Sequence, residues 1–224
     1  MRSHGNPTTR SPAGVRSRPA SCRHGAGLVL AGVNDPSRPV ASREGLPGAT
    51  VWLTGLPSAG KSTIAWALAA QLRAEARRTE VLDGDEMRGL LSAGLGFSRA
   101  DRDTNVQRVG LVAELLARNG VLTLVPVIAP YEQAREAVRR RHEKSGTAYL
   151  EVHVAAPVEV CARRDVKGLY ARQREGLLTG LTGVDDPYEE PERPDLRLDT
   201  DRQSEAESVR ALRALLTDRG LCAP

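Results

Sequence analysis

Short apolar segments alternate with longer amphipathic segments from residue 49 to the end of the chain. The short segments have the length of buried strands, and the longer ones show the apolar spacing of helices. Strands that alternate with helices pair in parallel and are covered by helices on both faces. The pattern therefore predicts an α/β fold with a mostly parallel sheet. Strands are predicted at residues 49–54, 80–83, 121–128, 148–154 and 196–198, and helices at 62–76, 85–91, 98–118, 131–144 and 204–215, with one more that Pro157 opens in its first turn.

The first 48 residues differ in composition from the rest of the chain. They contain seven Arg and no Lys against Asp35 and Glu44, and they are rich in Ser, Pro and Gly. Such a segment buries too little apolar surface to fold. Residues 1–48 are therefore predicted to be a disordered basic extension, and residues 49–224 a folded domain. The extension is interpreted as dispensable, with a targeting peptide or a wrong start codon as the alternatives.

Composition also argues against several classes of function. No apolar run approaches the roughly 18 residues of a membrane span, so no membrane partner is expected. The net charge of +4 comes from the extension, and no nucleic-acid partner is expected on that basis. Cys22, Cys161 and Cys222 are widely separated and odd in number, which indicates a reduced, cytoplasmic setting. Cys161 is predicted to be a small buried helix residue.

A glycine-rich segment stands between the first predicted strand and the first predicted helix. It fits the P-loop pattern, and this context makes the match more specific. In such a loop the backbone N–H groups surround a polyphosphate, Lys61 contacts the β- and γ-phosphates, and Ser62 binds Mg²⁺. An ordinary strand-to-helix turn with an exposed lysine is the alternative. The loop predicts a P-loop NTPase-type three-layer fold, with the nucleotide held by Gly55, Leu56, Pro57, Ser58, Ala59, Gly60, Lys61, Ser62 and Thr63.

Two carboxylates follow the second predicted strand. Asp83 and Asp85 fall at the carboxyl edge of the sheet, where parallel sheets bind ligands. One carboxylate could hold Mg²⁺ while the other orients or deprotonates an attacking hydroxyl. Arg88 lies three residues after Asp85 and shares its helix face. A helix cap with a local ion pair explains the same residues equally well.

A polar strip follows on the next predicted helix. Arg102, Asn105 and Arg108 are spaced by three residues, so they lie along one helix face. Guanidinium groups bind planar oxyanion edges, which favours a ligand that carries phosphate or sulfate. Phe97 precedes the strip in a Gly-flanked loop and could stack on a purine. The alternatives are a solvated helix face for the arginines and a core position for Phe97.

Residues 165–191 combine basic side chains with glycines. A segment of this length outside regular structure is usually functional or disordered. Lids of this kind supply cations to a phosphoryl group and exclude water when they close. A mobile lid over about residues 165–191 is therefore predicted, with Lys167 among its cations. A long surface loop is the alternative.

These motifs together resemble the adenylyl-sulfate kinases, which phosphorylate the 3′-hydroxyl of adenylyl sulfate. The resemblance covers about residues 50–200, and its later motifs are more specific than the P-loop. The matching elements are Val51-Trp-Leu-Thr-Gly-Leu56, Asp83-Gly-Asp85 with Arg88, Leu95-Gly-Phe-Ser98, Asp101-Arg102 with Asn105 and Arg108, Cys161 to Tyr170, Thr182-Gly183, and Asp185-Asp-Pro-Tyr188.

The resemblance implies an ATP- and Mg²⁺-dependent kinase in sulfate activation. It implies a homodimer, with ATP sulfurylase as a separate pathway partner in the cytoplasm. Catalytic roles are implied for Lys61, Asp83, Asp85 and Lys167, and metal binding for Ser62 and Asp83. The residues implied to contact adenylyl sulfate are Asp85, Arg88, Phe97, Arg102, Asn105, Arg108, Ile128, Ala129, Lys167 and Leu181.

Three positions depart from the family pattern. Ala129 stands where many relatives carry a serine described as a phosphoserine intermediate, so that covalent route is closed and direct in-line transfer remains. Leu181 replaces a phenylalanine that stacks on the adenine, which predicts weaker substrate binding or weaker substrate inhibition. Pro57-Ser58 replaces the commoner Ser-Gly of the P-loop but leaves Gly60 to Ser62 intact.

Two other functions compete with this interpretation. A P-loop kinase for another nucleotide or a small alcohol keeps the P-loop but leaves Phe97 and the Arg102–Arg108 strip unexplained. A nucleotide sensor that has lost catalysis fits Ala129 and Leu181, but the presence of Lys61, Asp85 and the other catalytic residues argues against it.

Overall fold

The computed structural model describes residues 45–224, and the predicted extension up to residue 44, with Cys22, lies outside the described residues. Within that range five strands form one sheet in the order β2-β3-β1-β4-β5. Every neighbouring pair is parallel. The strands are β1 (Ala49–Thr54), β2 (Thr79–Val81), β3 (Leu122–Pro126), β4 (Ala148–Ala155) and β5 (Leu196–Asp199). The predicted parallel α/β sheet is confirmed.

Seven helices accompany these strands within residues 45–224, and the last of them follows β5. Ser98 caps the longest of them, because its hydroxyl oxygen accepts a hydrogen bond from the Asp101 N–H at 3.2 Å. Pro157 is the N-cap of its helix and not, as predicted, a residue of the first turn. The helices are α1 (Lys61–Ala74), α2 (Gly84–Leu91), α3 (Arg99–Arg118), α4 (Glu132–Ser145), α5 (Val158–Arg164), α6 (Leu169–Arg174) and α7 (Glu205–Asp218).

Two apolar layers bury the sheet on both faces. All six residues of β1 are buried, and successive side chains enter opposite layers. Val51 and Leu53 pack with residues of α1 and α7, whereas Trp52 packs with residues of α3 and α4. A fully buried, parallel central strand is typical of doubly covered sheets. The predicted three-layer arrangement is confirmed.

The folded part of the chain begins slightly before the predicted boundary. The Pro47 carbonyl accepts a hydrogen bond from the Arg77 guanidinium. Gly48 packs so closely on the Ala117 carbonyl that a side chain there would collide with it. Residues 47 and 48, predicted to belong to the extension, therefore pack on the domain.

Two further sequence predictions concern cysteines and membranes. Cys161 is buried in α5, as predicted, and neither it nor Cys222 forms a disulfide among residues 45–224. No helix in the part of the chain that the structure describes is long and apolar enough to cross a membrane.

Candidate functional site

A cavity of about 590 Å³ opens at the carboxyl ends of the strands. Three loops line it, because β1, β2 and β3 lie side by side in the sheet and all end at this edge. These loops contribute residues 57–63, 83–85 and 126–130. The rest of the lining comes from the start of α3, from the segment between α5 and α6, and from the chain after β5.

The loop between β1 and α1 has the backbone geometry of a phosphate-binding loop. Gly60 has φ 104 and is the N-cap of α1, so the positive end of the helix faces the cavity. Gly55 lies against the Val154 carbonyl, where a side chain would collide. Ser58 has φ 62, a conformation that glycine adopts more easily. Residues 57–63 line the cavity, whereas Gly55 and Leu56 do not.

Lys61 lies in the first turn of α1 with its ammonium group folded back onto the loop. Its Nζ donates to the carbonyl oxygens of Gly55 at 2.8 Å and Leu56 at 2.7 Å. Desolvation by burial lowers the pKa of Lys61 from 10.5 to about 7. A buried ammonium group beside a helix N-terminus can bind the negative charge of a phosphate.

Asp83 and Asp85 lie on the two sides of the start of α2. Asp83 caps this helix, because its Oδ1 accepts a hydrogen bond from the Asp85 N–H at 3.0 Å. The Asp85 carboxylate points outward and forms an ion pair with Lys167, from the segment between α5 and α6. All three side chains line the cavity. Asp83 therefore acts as a helix cap, which was the alternative explanation for these residues. Asp85 instead forms its ion pair with Lys167 across the cavity.

The end of the cavity near α3 presents an exposed aromatic ring and an amide group. Phe97 has 62% of its surface exposed, and the Arg88 guanidinium lies 4.2 Å from the centre of its ring. The Arg88 guanidinium also donates to the Gly96 carbonyl. The Asn105 Oδ1 is buried and has no hydrogen-bond partner among residues 45–224. An exposed ring beside an unsatisfied amide oxygen suits a planar ligand that carries N–H donors.

Arg102 lines the cavity, but several N–H donors of its guanidinium already form hydrogen bonds with other residues of the protein. Its Nε donates to the Phe97 carbonyl at 2.9 Å, and its Nη1 donates to Thr182 Oγ1 at 2.9 Å. A third hydrogen bond goes to the Gly180 carbonyl. Arg102 therefore ties the Phe97 loop to residues 180–190, which we call the strap. The strap is the second half of the predicted lid, whose mobility stays a prediction.

Two predicted substrate contacts lie outside the cavity. Arg108 donates to the Leu91 carbonyl at 2.7 Å, so it joins α3 to the end of α2. Leu181 is 5% exposed and packs in the core between the sheet and α1. Asp185 turns the backbone there, because its carboxylate accepts hydrogen bonds from the N–H groups of Gly180 and Leu181. Leu181 thus does not line the cavity in this structure, and its contact with the adenine stays a prediction.

Ile128 and Ala129 follow β3 and form one wall of the cavity with Pro130. We call residues 128–130 the acceptor wall. Ala129 is buried and has φ 43, an uncommon conformation for a residue with a side chain. Its carbonyl accepts a hydrogen bond from the buried Arg135 guanidinium at 2.8 Å. Contacts from outside the cavity therefore hold this wall in place.

Sequence reasoning missed a group of residues at the opposite end of the cavity. The Arg164 guanidinium donates to the Thr200 carbonyl at 2.6 Å, and Thr200 Oγ1 donates to the Ala59 carbonyl at 2.8 Å. Gln203 Oε1 and Ser208 Oγ are buried without a hydrogen-bond partner among residues 45–224. All four residues line the cavity beyond the P-loop. For Thr200, Gln203 and Ser208, the position after β5 at the carboxyl edge of the sheet was the signal that could have found them. Arg164, the last residue of α5, gave no such signal.

A P-loop on the central strand β1, paired carboxylates after the edge strand β2 and a lysine facing them define a P-loop kinase. The model of the adenylylsulphate kinase family matches residues 47–199. The chain belongs to this family.

Similar proteins cover most of the chain. An adenylyl-sulfate kinase of Picosynechococcus is 49% identical over 177 residues, which span 79% of this chain and 98% of that protein. The structure of the Mycobacterium tuberculosis APS kinase CysC in complex with AMPPNP and APS has a TM-score of 0.75 and 43% identity, covering 77% of this chain and 99% of that one. A hexameric APS kinase of Thiobacillus denitrificans has a TM-score of 0.61 and 36% identity, covering 80% of this chain and 30% of that one.

Proposed function

We propose that the protein transfers the γ-phosphoryl group of ATP to the 3′-hydroxyl of adenylyl sulfate, which gives 3′-phosphoadenylyl sulfate and ADP for sulfate activation. One observation carries the proposal. A single cavity joins the P-loop to the end that contains Asp85, Phe97 and Asn105. A nucleotide donor and an aromatic, anionic acceptor can therefore meet in it. The solved relative in complex with AMPPNP and APS supports this pair of ligands.

The donor would occupy the P-loop and the end of the cavity near Gln203. The loop N–H groups and Lys61 hold the phosphates. The unpartnered oxygens of Gln203 and Ser208 face the region beyond the loop, where the nucleobase would lie. The Arg164 guanidinium, fixed on Thr200, offers a planar surface to the base.

Ser62 and Asp83 fit the role of magnesium ligands. Both line the cavity and offer the oxygen atoms that Mg²⁺ prefers. Asp83 uses Oδ1 to cap α2 and keeps further acceptor capacity on its carboxylate. No group of three or more His, Cys, Asp or Glu side chains within residues 45–224 is arranged to hold a metal. Mg²⁺ in phosphoryl-transfer sites is usually bound by one or two carboxylates together with the substrate phosphates, so the ion would arrive with ATP. Magnesium would neutralise charge on the β- and γ-phosphates.

Asp85 would orient the 3′-hydroxyl and accept its proton as the oxygen attacks the γ-phosphorus. This requires Asp85 to leave Lys167, whose ammonium group is then free to stabilise the transferred phosphoryl oxygens. Ala129 offers no hydroxyl to phosphorylate, so transfer proceeds directly from ATP to the acceptor. Leu181 lies in the core, and the adenine of the acceptor would therefore depend on Phe97 for stacking.

The assembly and its setting belong to the proposal as well. The protein would act as a homodimer in the cytoplasm and receive adenylyl sulfate from a separate ATP sulfurylase. The hexameric relative indicates that oligomers occur in the family.

The test measures ADP release from ATP and Mg²⁺ with and without adenylyl sulfate, together with formation of the 3′-phosphorylated product. Asp85→Asn should lower kcat by about 100-fold, while the Kd for ATP stays unchanged. Glu86→Gln is the control, because Glu86 is the next residue of α2 and is exposed outside the cavity. ADP release that does not depend on adenylyl sulfate would refute the proposed acceptor, and an equal loss of ATP binding in Asp85→Asn would refute the role of Asp85.

A further inference from the structure

The carbonyl of Ile128 is fixed from behind the acceptor wall. Thr54, the last residue of β1, donates its hydroxyl proton to this carbonyl at 2.6 Å. Thr54 is completely buried. Within residues 45–224 the cavity is lined by Ile128 but neither by Thr54 nor by Tyr188, a strap residue that contacts Thr54. The hydrogen-bonded route from these two hydroxyl groups to the cavity therefore runs through the Ile128 carbonyl.

Two hydroxyl groups form a directed relay behind the wall. The Tyr188 phenol lies 3.0 Å from the Thr54 hydroxyl. Because a carbonyl oxygen can only accept, the single proton of Thr54 goes to Ile128, and Tyr188 must donate to Thr54. Burial raises the pKa of Tyr188 to about 12, so the phenol keeps this proton at neutral pH.

The strap is fastened to the acceptor wall on both sides of the relay. The Glu189 N–H donates to the Pro130 carbonyl at 2.8 Å. Arg135, 2% exposed, donates to the carbonyls of Ala129 and Glu189, both at 2.8 Å. These hydrogen bonds place Tyr188 next to Thr54 and stabilise the positive φ angle of Ala129.

We propose that Thr54 and Tyr188 are positioning residues that fix the acceptor wall for adenylyl sulfate. The inference rests on the proposed function, because it assumes that the acceptor contacts Ile128. A wall that shifts by a fraction of an ångström misplaces the 3′-hydroxyl relative to the γ-phosphorus, and such errors are costly in phosphoryl transfer. Thr54 is the residue directly before the P-loop, but its hydroxyl group bonds to Ile128 and contacts Tyr188, so removal of the hydroxyl alone is expected to leave the P-loop in place.

The test compares Thr54→Val and Tyr188→Phe, which remove one hydroxyl each and preserve shape. Each should lower kcat/KM for adenylyl sulfate by about 10- to 100-fold, with the Kd for ATP unchanged. The double variant should lose no more than either single variant, because both changes break one relay. Thr54→Ser restores the hydroxyl and should recover most of the activity.

Thr123→Val is the matched control. Thr123 is a completely buried threonine of β3, and its hydroxyl has no hydrogen-bond partner in the described part of the chain. Its loss should leave kcat/KM unchanged. Additive losses in the double variant, or equal losses in Thr123→Val, would overturn the relay.

Hydrogen exchange separates this inference from the proposed function. In the protein without ligands, backbone amides of residues 127–129 and 131 should exchange faster in Thr54→Val and Tyr188→Phe than in the wild type or Thr123→Val. If the wild type does not phosphorylate adenylyl sulfate, the proposed function fails while this measurement still decides whether the relay fixes the wall. Unchanged exchange in both relay variants would refute it.

Discussion

Lys61 sits where burial and ligand binding act on its charge in opposite directions. In the empty site burial lowers its pKa to about 7, so the ammonium form is only partly populated near neutral pH. A bound triphosphate would favour the ammonium form, because an opposite charge nearby raises the pKa of a lysine. Binding and protonation of Lys61 are therefore coupled.

We expect the affinity for ATP to fall as pH rises. Between pH 8 and 9 the empty site has already lost most of the Lys61 proton while the complex keeps it, so binding takes up close to one proton. The Kd for ATP should then increase by about tenfold per pH unit. Calorimetry in buffers with different ionisation enthalpies measures this uptake directly.

Lys61→Arg provides the control for this pH dependence. A guanidinium stays protonated throughout the range, so ATP binding to this variant should take up no proton between pH 8 and 9. Proton uptake below about 0.2 per ATP in the wild type at pH 8.5 would show that Lys61 remains charged in the empty site.

Arg102 shows what residue spacing can and cannot predict. Its position on a polar helix face with Asn105 follows from the three-residue spacing, and both residues line the cavity. The hydrogen bonds of its guanidinium to Thr182 and Gly180 join residues about 80 positions apart in the chain. No local pattern encodes such contacts.

His142 links α4 to β1 in the interior. Its ring is completely buried, with Nδ1 2.9 Å from the Val138 carbonyl and Nε2 2.8 Å from Thr50 Oγ1. Because the carbonyl accepts, Nδ1 carries the proton of the neutral ring, and Nε2 accepts from Thr50. Desolvation lowers the pKa of His142 below 6.5, despite the nearby Glu114.

We expect stability to fall in mildly acidic solution. Above pH 6.5 the ring is neutral in both states. As pH falls below 6.5, His142 binds a proton in the unfolded chain. In the folded protein the buried ring stays neutral until the pH reaches its lowered pKa. The free energy of unfolding should therefore decrease by up to about 1.4 kcal/mol per pH unit for this group. Urea denaturation between pH 7 and 5 measures the slope.

The His142→Gln variant is compared with the wild type. The quantity compared is the change in the free energy of unfolding per pH unit, not the absolute stability. The pKa of His153 is also lowered by desolvation, and its contribution remains in both proteins. The variant should consequently show a shallower decline than the wild type. Equal slopes in the two proteins would mean that His142 titrates alike in the folded and unfolded states.

Long elements were predicted well because their apolar periods are clear. The structure places β1 at the predicted residues, and α3 ends at Arg118, also as predicted. The six-residue α6 was missed, since it is too short to show a helical period. Contacts with residues outside α6 stabilise it. The Asp165 carboxylate accepts hydrogen bonds from N–H groups of its first turn, and the Tyr170 hydroxyl donates to the Pro57 carbonyl at 3.1 Å.

The whole molecule offers a test of where the domain begins. The family model starts at residue 47, and the Pro47 carbonyl already contacts Arg77. A chain that starts at Gly45 should therefore retain kcat/KM for both substrates within about twofold and unfold at the same temperature. A chain that starts at Thr50 loses the Pro47 and Gly48 contacts and should be less stable. A large loss of activity in the chain that starts at Gly45 would assign a function to the extension.

The fold of the domain and the residues at the acceptor end of the cavity were predicted from the order of motifs along the chain. The donor end beyond the P-loop did not, because Arg164, Thr200 and Gln203 meet only when α5 and β5 are brought together. Their residue types carry no pattern that distinguishes them from ordinary surface positions. Only the sheet topology brings them to the P-loop.

The pairing of Asp85 with Lys167 has a kinetic consequence. Both side chains are more than half exposed, and exposed pairs are worth about 0.2–1 kcal/mol, so the pair opens readily. Added salt weakens the ion pair, so Asp85 and Lys167 separate more often and open the cavity between them. Salt also screens the attraction between an incoming anion and the cations around Arg88. The association rate of an anionic acceptor should therefore pass through a maximum at intermediate ionic strength.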